Sequence, residues 1–209
     1  MYKEKTMKRL MSELGSLDIN ELISQLQETS DPVAYQYFKN LNKRTIIINE
    51  TIDESIVETA VLPLLEMDND DTGQEINILV NTLGGQVYNG LLLCDVISRL
   101  KTKTTITVLA YAYSMGSLII MSAFNNPNVH VRCYTFSTAL VHGGSTYVEG
   151  TSSQVKDYFA FNEKYEEKIK DFILTHSNIS EAEYQKCERY EWYMTSDDML
   201  KYGLVQEII

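Results

Sequence analysis

The sequence is poor in cysteine, proline, glycine and histidine. Its 209 residues include three Cys, three Pro, three His and ten Gly. Cys94, Cys133 and Cys187 are far apart and form no Cys-x-x-Cys pair, so neither a zinc site nor a disulfide framework is indicated. The low glycine and proline content argues against low complexity and disorder. We therefore predict a folded chain with inert thiols and no metal site.

Long apolar runs are also missing. The strongly apolar stretch at residues 115–124 is much shorter than the roughly 20 residues that a membrane helix needs. Residues 1–15 carry charge throughout and lack the continuous apolar segment of a secretory signal. We therefore expect a cytoplasmic protein without a membrane partner.

Positive charge is scarce relative to negative charge. The chain has 18 Lys and Arg against 29 Asp and Glu, which gives a formal net charge of −11. Such a balance argues against nucleic-acid binding and against binding to anionic membrane surfaces. A chain of this length fits one compact domain with an appendage, and it buries enough surface to fold without disulfide or metal.

Two regions differ in their residue pattern. Residues 1–43 predict a helical N-terminal extension, whose last helix opens at Asp31-Pro32. From Arg44 onward, short apolar strands alternate with helices, which predicts an α/β domain over residues 44–209 with a largely parallel sheet. The predicted strands cover residues 45–49, 76–80, 104–109, 129–133 and 139–141. Predicted helices begin at Asp53 (with a kink or split at Pro63), after Gly85, at Ser117, at Ser152, and after the capping residues Ser180 and Thr195.

Ser114 lies in a small-residue turn between a predicted strand and a predicted helix. The string at residues 112–116 is Ala-Tyr-Ser-Met-Gly, which is not Gly-x-Ser-x-Gly. A serine at such a turn is exposed, and the backbone N–H groups that follow it can stabilise an oxyanion. Serine is also a common helix N-cap, so the local pattern fits either a nucleophile or a cap.

A second strand-to-helix turn contains Asn-Thr-Leu-Gly-Gly at residues 81–85. Paired glycines let a backbone approach a ligand closely and supply N–H donors, although the same pair also serves ordinary tight turns. Gly84 and Gly85 are therefore candidate positions for ligand contact.

A serine nucleophile needs a base, and the chain has three histidines. His142 ends a predicted strand and precedes a Gly-Gly loop, which suits either a general base or a structural residue. His130 and His176 are interpreted as surface residues. The base also needs an orienting carboxylate, and spacing alone does not choose one in so acidic a chain.

Taken together, these strings resemble the Clp protease proteolytic subunit family, the ClpP-type serine peptidases. Residues 81–85 resemble the family's Asn-Ser-Pro-Gly-Gly segment, and residues 113–116 (Tyr-Ser-Met-Gly) resemble its Ala-Ser-Met-Gly nucleophile turn. Residues 140–142 (Leu-Val-His) resemble its Met-Ile-His segment, and residues 202–205 match its Tyr-Gly-Leu-Val ending. The resemblance implies a ClpP/crotonase-like α/β fold, a repeated β-β-α superhelix with a parallel sheet and a protruding handle helix at about residues 152–176.

The resemblance also implies a catalytic triad. Ser114 would be the nucleophile and His142 the base. The family's Asp lies eleven residues before the Tyr of the ending, and that position holds Glu191 here. Asp and Glu are interchangeable in Ser-His-acid triads, and Asp197 and Asp198 are the fallback acids.

Further expectations follow from the same resemblance. Backbone N–H groups of Gly85 and Met115 would form the oxyanion hole, and Gly84 would contact an extended substrate. The chain would be an endopeptidase that hydrolyses unfolded proteins inside a ring of its own copies, a double heptamer in the family. A separate AAA+ unfoldase would use the ATP and feed the chamber, so this chain needs no cofactor.

Several residues depart from the family pattern. They are Leu83 in place of Pro, Gly143-Gly144 in place of Gln-Pro, Glu191 in place of Asp, and Trp192 in place of an Arg that helps to link rings. These departures leave open a catalytically inactive subunit that serves as a scaffold. A crotonase-fold enzyme acting on acyl-CoA is a further alternative, although that fold has no need for a Ser/His pair.

Overall fold

The computed structural model describes residue 24, residues 32–187 and residues 190–209. Residues 1–23 and 25–31 of the predicted N-terminal extension lie outside these residues. Within its described part, helix α1 (Pro32–Leu41) begins at Pro32, where the sequence predicts a helix start, and packs against the first strand.

In the described residues, seven strands form one sheet with a parallel centre. The strands are β1 (Thr45–Ile48), β2 (Ile76–Thr82), β3 (Thr104–Tyr113), β4 (Val129–Cys133), β5 (Thr138–Val141), β6 (Trp192–Met194) and β7 (Glu207–Ile208). β1, β2, β3, β4 and β7 lie side by side in that order, and all neighbours are parallel. The predicted α/β fold with a parallel sheet is confirmed, whereas the short strands β6 and β7 were not predicted.

β3 is long enough to pair with two strands in succession. Its first half pairs with β4, and its last three residues pair with β5, also in parallel. Ser137 stands at the change of partner, where its Oγ donates to the Leu109 carbonyl at 2.8 Å. Because parallel strands end on the same side of a sheet, the C-terminal ends of β3 and β5 lie together.

Helices cover the sheet between the strands. They are α2 (Leu62–Asp68), α3 (Val87–Ile97), α4 (Met115–Met121), α5 (Ser152–Thr175), α6 (Glu181–Cys187) and α7 (Ser196–Lys201). At the predicted kink or split, the chain stays helical but changes from a π-helical turn at Val57–Val61 to α2, whose first turn contains Pro63. Proline has no N–H to donate to the preceding turn, and it is tolerated in the first turn of a helix.

One face of the sheet carries the apolar core. Alternate residues of β1 and β2 are buried, and the residues between them are only partly covered. Ile46, Ile78 and Ile106 are at most 1% exposed and lie at the same register on three neighbouring strands. Burial of this apolar face is the main stabilising contribution to the fold.

Helix α5 occupies the segment predicted as the handle, and it ends at Thr175, one residue before the predicted limit of 176. It begins after a capping box in which Thr151 and Gln154 satisfy each other's backbone N–H groups. All of α5 is described, and of its 24 residues only Ile173 is buried. Most of the α5 surface is therefore exposed or only partly covered.

A polar network joins α6 to the end of α7. Glu183 accepts hydrogen bonds from the Ser180 Oγ (2.6 Å) and N–H (3.0 Å) and from the Tyr202 hydroxyl (2.9 Å). These bonds, led by the Ser180 hydroxyl, lower the pKa of Glu183 to about 2. In the other direction, the Ser180 Oγ accepts from the Glu183 N–H at 3.3 Å, which confirms the predicted Ser180 cap.

Replacing Glu183 with glutamine is expected to lower the thermal unfolding temperature at neutral pH but not near pH 2. The folded-state pKa lies below the ordinary value of 4.5, so the carboxylate contribution is fully present above about pH 4.5. That contribution is lost as the pH falls through about 2. Thermal melts of both forms across this range test the prediction, with Glu163→Gln on exposed α5 as the control. A deficit that stays constant down to pH 2 would contradict it.

Candidate active site

Ser114 occupies a strained turn between β3 and α4. Its backbone angles are φ 52° and ψ −119°, a region that L-residues other than glycine rarely adopt. Its N–H donates to the Leu140 carbonyl at 2.8 Å, which ties the turn to β5. The Ser114 side chain makes no capping hydrogen bond to α4. Of the two local interpretations, an ordinary N-cap therefore does not describe this serine.

His142 follows β5 and reaches the serine. Its Nε2 lies 2.8 Å from the Ser114 Oγ. With the hydroxyl donating to Nε2, the imidazole proton is on Nδ1, and that nitrogen faces away from the serine. The two residues are 28 positions apart in the sequence, and the pairing of β3 with β5 brings them together.

The Ser117 side chain bonds to the strands that carry Ser114 and His142, and the sequence did not predict this role. It is fully buried, and its Oγ lies 2.8 Å from the Ala112 carbonyl and 2.6 Å from the Leu140 carbonyl. The hydroxyl thus bridges β3 and β5 under the Ser114 turn. A lone polar residue in the otherwise apolar helix α4 was the available signal.

The Gly84-Gly85 turn packs directly against the Ser114 turn. A Cβ at Gly84 would lie 2.7 Å from the Ser114 Cβ and 2.9 Å from the Met115 nitrogen. A Cβ at Gly85 would lie 2.2 Å from the Ile52 carbonyl oxygen. Both glycines have positive φ, at 93° and 151°. Gly84 is therefore required by the close approach of the Ser114 turn, and Gly85 is required by the close approach of the Ile52 backbone.

Two backbone N–H groups remain available beside the serine. Ile52 donates to the Gly84 carbonyl and accepts from the Gln86 N–H, so the alternation of an extended chain points the intervening Gly85 N–H away from Ile52. Met115 is the first residue of α4, and its N–H has no acceptor within the helix. Neither N–H has an acceptor among the residues that the structure describes. Paired N–H donors next to a hydroxyl can bind the oxygen of a tetrahedral intermediate.

Replacing Gly84 with alanine is expected to destabilise the fold by about 3 kcal/mol. Left-handed strain costs about 1–2 kcal/mol, and the clash with the backbone of residues 113–115 adds a comparable amount. Denaturant unfolding measures the loss. Gly73→Ala is the matched control, because Gly73 has a φ of 63° and an added Cβ there would meet nothing within 4 Å, so only the strain should appear. Equal losses at both positions would contradict the close packing at Gly84.

Glu191 lies across from His142 but bonds to another residue. β6 pairs antiparallel with β5 with Trp192 opposite Val141, so continuing the register places Glu191 opposite His142. The Glu191 Oε2 accepts a hydrogen bond from the Tyr193 hydroxyl at 2.8 Å. In the described part of the chain, no carboxylate is hydrogen-bonded to His142.

The fallback acids serve other purposes. The Asp198 carboxylate caps α7 by accepting from the Thr195 N–H (3.0 Å) and Oγ1 (2.8 Å). Asp197 lies near Cys133, whose pKa is raised to about 11 mainly by burial and secondarily by the Asp197 charge. Among the described residues neither acid is hydrogen-bonded to His142, whereas the β5–β6 register, continued by one residue, puts Glu191 across from it.

The other histidines and Trp192 have structural environments. His130 Nε2 lies 3.0 Å from the Glu207 Oε2 on the surface, and His176 stacks on Phe172 at the end of α5. These placements agree with the surface interpretation. Trp192 packs edge-on against Tyr202, with ring centroids 5.0 Å apart. The tryptophan side chain is thus packed within its own chain.

Metal-binding and membrane-spanning features are absent from the described residues. Within them, no three His, Cys, Asp or Glu side chains are grouped closely enough to hold a metal ion. None of the helices in this same part of the chain combines the length and the apolar character that crossing a membrane requires.

Comparison with known proteins agrees with this geometry. Residues 28–209 match the family model described as Clp protease, and the match begins inside the predicted N-terminal extension. The chain is 24% identical over 173 residues to the ATP-dependent Clp protease proteolytic subunit of Deinococcus radiodurans, covering 83% of both chains. It is 25% identical over 186 residues to the ATP-dependent Clp protease proteolytic subunit 1 of Salinibacter ruber, covering 88% of this chain and 78% of the relative. With a parallel α/β sheet, a Ser/His contact at a strained turn and a family match over most of its length, this chain belongs to the Clp protease family.

Proposed function

We propose that this chain is a serine endopeptidase that cleaves unfolded polypeptides. The observation that carries the proposal is the 2.8 Å contact between the Ser114 Oγ and the His142 Nε2 at a turn whose serine does not cap its helix. An ordinary structural serine has no reason to occupy a strained backbone conformation with its hydroxyl directed at an imidazole.

The proposed reaction is acyl transfer. The Ser114 Oγ attacks the peptide carbonyl carbon while its proton passes to the His142 Nε2. The N–H groups of Gly85 and Met115 stabilise the oxyanion. The imidazolium then gives the proton to the leaving amine, which releases the first product and leaves an acyl-enzyme. Water, deprotonated by His142, attacks this ester, releases the second product and restores Ser114.

Glu191 is the proposed third member of the triad. Its position opposite His142 in the strand register supports a role at Nδ1, where a carboxylate holds the proton on that nitrogen and stabilises the imidazolium. The chemistry uses side chains and backbone alone, so the chain needs no cofactor.

The substrate is proposed to bind as an extended strand along Gly84. The backbone of the Gly84-Gly85 turn lies against the nucleophile turn, so main-chain hydrogen bonds would place a peptide carbonyl over Ser114. Main-chain recognition favours broad sequence tolerance. The names of the Deinococcus and Salinibacter relatives describe proteolytic subunits of an ATP-dependent protease. We extend this to a cytoplasmic ring of copies of this chain, stacked as a double heptamer and supplied by a separate AAA+ ATPase.

Covalent labelling tests the catalytic part of the proposal. A fluorophosphonate should form an adduct on Ser114, because the reagent captures a serine activated by an adjacent base and an oxyanion hole. Peptide mapping by mass spectrometry locates the adduct. An assembled wild-type protein without any adduct on Ser114 would refute the assignment.

Mass measurement tests the chamber separately. Analytical ultracentrifugation of the purified chain should show a species with the mass of a double heptamer, and addition of an unfoldase should then permit hydrolysis of a folded protein. A stable monomer or dimer that is fully active would contradict the chamber. The Trp192 side chain packs on Tyr202 within the subunit, so ring contacts would have to come from other residues.

A second candidate function is an inactive subunit that acts as a scaffold in a mixed ring. The bond from Tyr193 to Glu191, without a carboxylate on His142 among the described residues, favours this alternative. Peptide hydrolysis by the purified wild type that disappears in Ser114→Ala would exclude it. A crotonase-type acyl-CoA enzyme has no comparable support, because such an enzyme would not need the Ser114–His142 contact.

A further inference from the structure

Glu191 and Tyr193 are two residues apart on strand β6 and interact directly. Strand residues at this spacing project to the same face, which is also the face of their cross-strand neighbours. The Tyr193 hydroxyl donates to the Glu191 Oε2 at 2.8 Å. Because Tyr193 pairs with Leu140 and the register places Glu191 opposite His142, both side chains belong to the His142 side of the sheet.

The Tyr193 ring is itself held against the nucleophile segment. It packs edge-on against Tyr113, with ring centroids 5.8 Å apart and an interplanar angle of 81°. The Tyr113 hydroxyl is 2.9 Å from the Thr138 Oγ1 on β5. Tyr113 immediately precedes Ser114, so packing through one aromatic pair connects the Glu191 carboxylate to the segment that carries the nucleophile.

A glutamate at this position needs such an anchor. Glu191 is exposed, and an exposed glutamate side chain samples many rotamers, whose loss on ordering opposes a fixed position of the carboxylate. A carboxylate has two oxygens and accepts several hydrogen bonds, so a donor on Oε2 leaves Oε1 able to accept another. The His142 Nδ1–H is the donor in need of an acceptor when Nε2 receives the Ser114 proton.

We propose that Tyr193 is a positioning residue that anchors the Oε2 of Glu191, so that Oε1 is presented to the His142 Nδ1–H. The inference deepens the proposed peptidase function and rests on it. Tyr193 touches neither substrate nor nucleophile in this scheme. It acts through Glu191, and the ring contact with Tyr113 sets where its hydroxyl lies.

The protonation state of Tyr193 is consistent with this role. The hydrogen bond to Glu191, and then the charge of the same carboxylate, raise the pKa of Tyr193 above its ordinary value of 10.0. The phenol therefore remains a donor throughout the neutral and mildly alkaline range.

A double-mutant cycle tests the inference in the full-length assembled protein. Tyr193→Phe removes the hydroxyl and keeps the ring, so we expect kcat for a peptide substrate to fall about tenfold, the usual effect of losing one hydrogen bond to a charged group. KM should stay nearly unchanged. In a Glu191→Gln background, the same Tyr193→Phe change should cause no further loss, because its effect passes through the carboxylate. Tyr190→Phe is the matched control, since Tyr190 is 75% exposed and immediately precedes Glu191.

Other results overturn the inference in identifiable ways. An unchanged kcat in Tyr193→Phe shows that Glu191 needs no anchor, and an increased kcat shows that the tyrosine withholds the acid instead. Equal losses in the wild-type and Glu191→Gln backgrounds show a structural effect that does not pass through Glu191. Any of these results in an active wild type that labels on Ser114 refutes the inference alone. A wild type that neither hydrolyses peptides nor labels refutes the proposed function as well.

Discussion

Replacing Ser114 with alanine is expected to lower kcat for peptide hydrolysis by about 10⁵-fold or more, with little change in KM. The alanine variant keeps the oxyanion-hole N–H groups and the substrate groove but has no oxygen to form the acyl-enzyme. Alanine and serine tolerate the unusual backbone angles of this turn equally poorly, so the fold and its stability should be retained.

The measurement is steady-state hydrolysis of a fluorogenic peptide by matched preparations. Ser145→Ala is the control, because Ser145 is an exposed serine in the loop just after His142. We expect it to be fully active. If Ser114→Ala kept more than a small fraction of wild-type activity, the proposed nucleophile would be wrong, and the source of that activity would have to be sought elsewhere.

Replacing Glu191 with glutamine is expected to have the second-largest effect, a loss of about 10³–10⁴-fold in kcat. An amide of the same shape removes the negative charge that stabilises the imidazolium. Its NH₂ group also favours a tautomer in which Nε2 carries the proton and no longer accepts from Ser114. The loss should appear in kcat rather than in KM, since the carboxylate acts when charge develops on His142.

Asp197→Asn is the matched control for this prediction. Asp197 is an exposed acid on α7, so removing its charge should change activity little. That charge contributes to the raised pKa of the Cys133 thiol. An active Glu191→Gln variant together with an inactive Asp197→Asn variant would transfer the orienting role to the other acid. Full activity in both variants would indicate a Ser/His dyad that needs no carboxylate.

Local patterns were sufficient to predict several elements, because short-range chemistry determines them. The helix changes from π to α form beside Pro63, where the sequence predicts a kink or split, since the missing proline N–H acts within one turn. The Ser180 and Thr195 caps form where the sequence places them, because a capping residue bonds to a backbone only three residues away. The apolar strands from β1 to β5 were likewise identified by composition and turn residues.

The short strands β6 and β7 could not be identified in the same way. β6 is three residues long and contains Trp192 and Tyr193, so it offers no alternating pattern of buried and exposed residues. It is a strand because β5 provides an antiparallel partner. β7 has two residues and is a strand because it pairs in parallel with β4. In both cases pairing creates the element, and pairing is a property of the folded chain.

The candidate site likewise has features that the sequence indicated and features that only the folded chain shows. The shortage of cysteine and histidine limited the chemistry to a few residues, and the family resemblance assigned roles to Ser114, His142 and Glu191. The sequence did not reveal the strained backbone of Ser114 or the buried Ser117 hydroxyl beneath it. It also did not reveal that the Glu191 carboxylate bonds to Tyr193.

What the sequence by itself determined is the class of fold and the helix caps, since these follow from composition and from contacts within a few positions, while its resemblance to a known family identified the candidate residues. Tertiary structure decided how those residues meet. β3 pairs first with β4 and then with β5, which brings His142 to Ser114, and the β5–β6 register brings Glu191 opposite His142. The physical reason is that strand register and aromatic packing depend on residues far apart in the chain, and a shift of one residue would turn each of these side chains to the other face of the sheet.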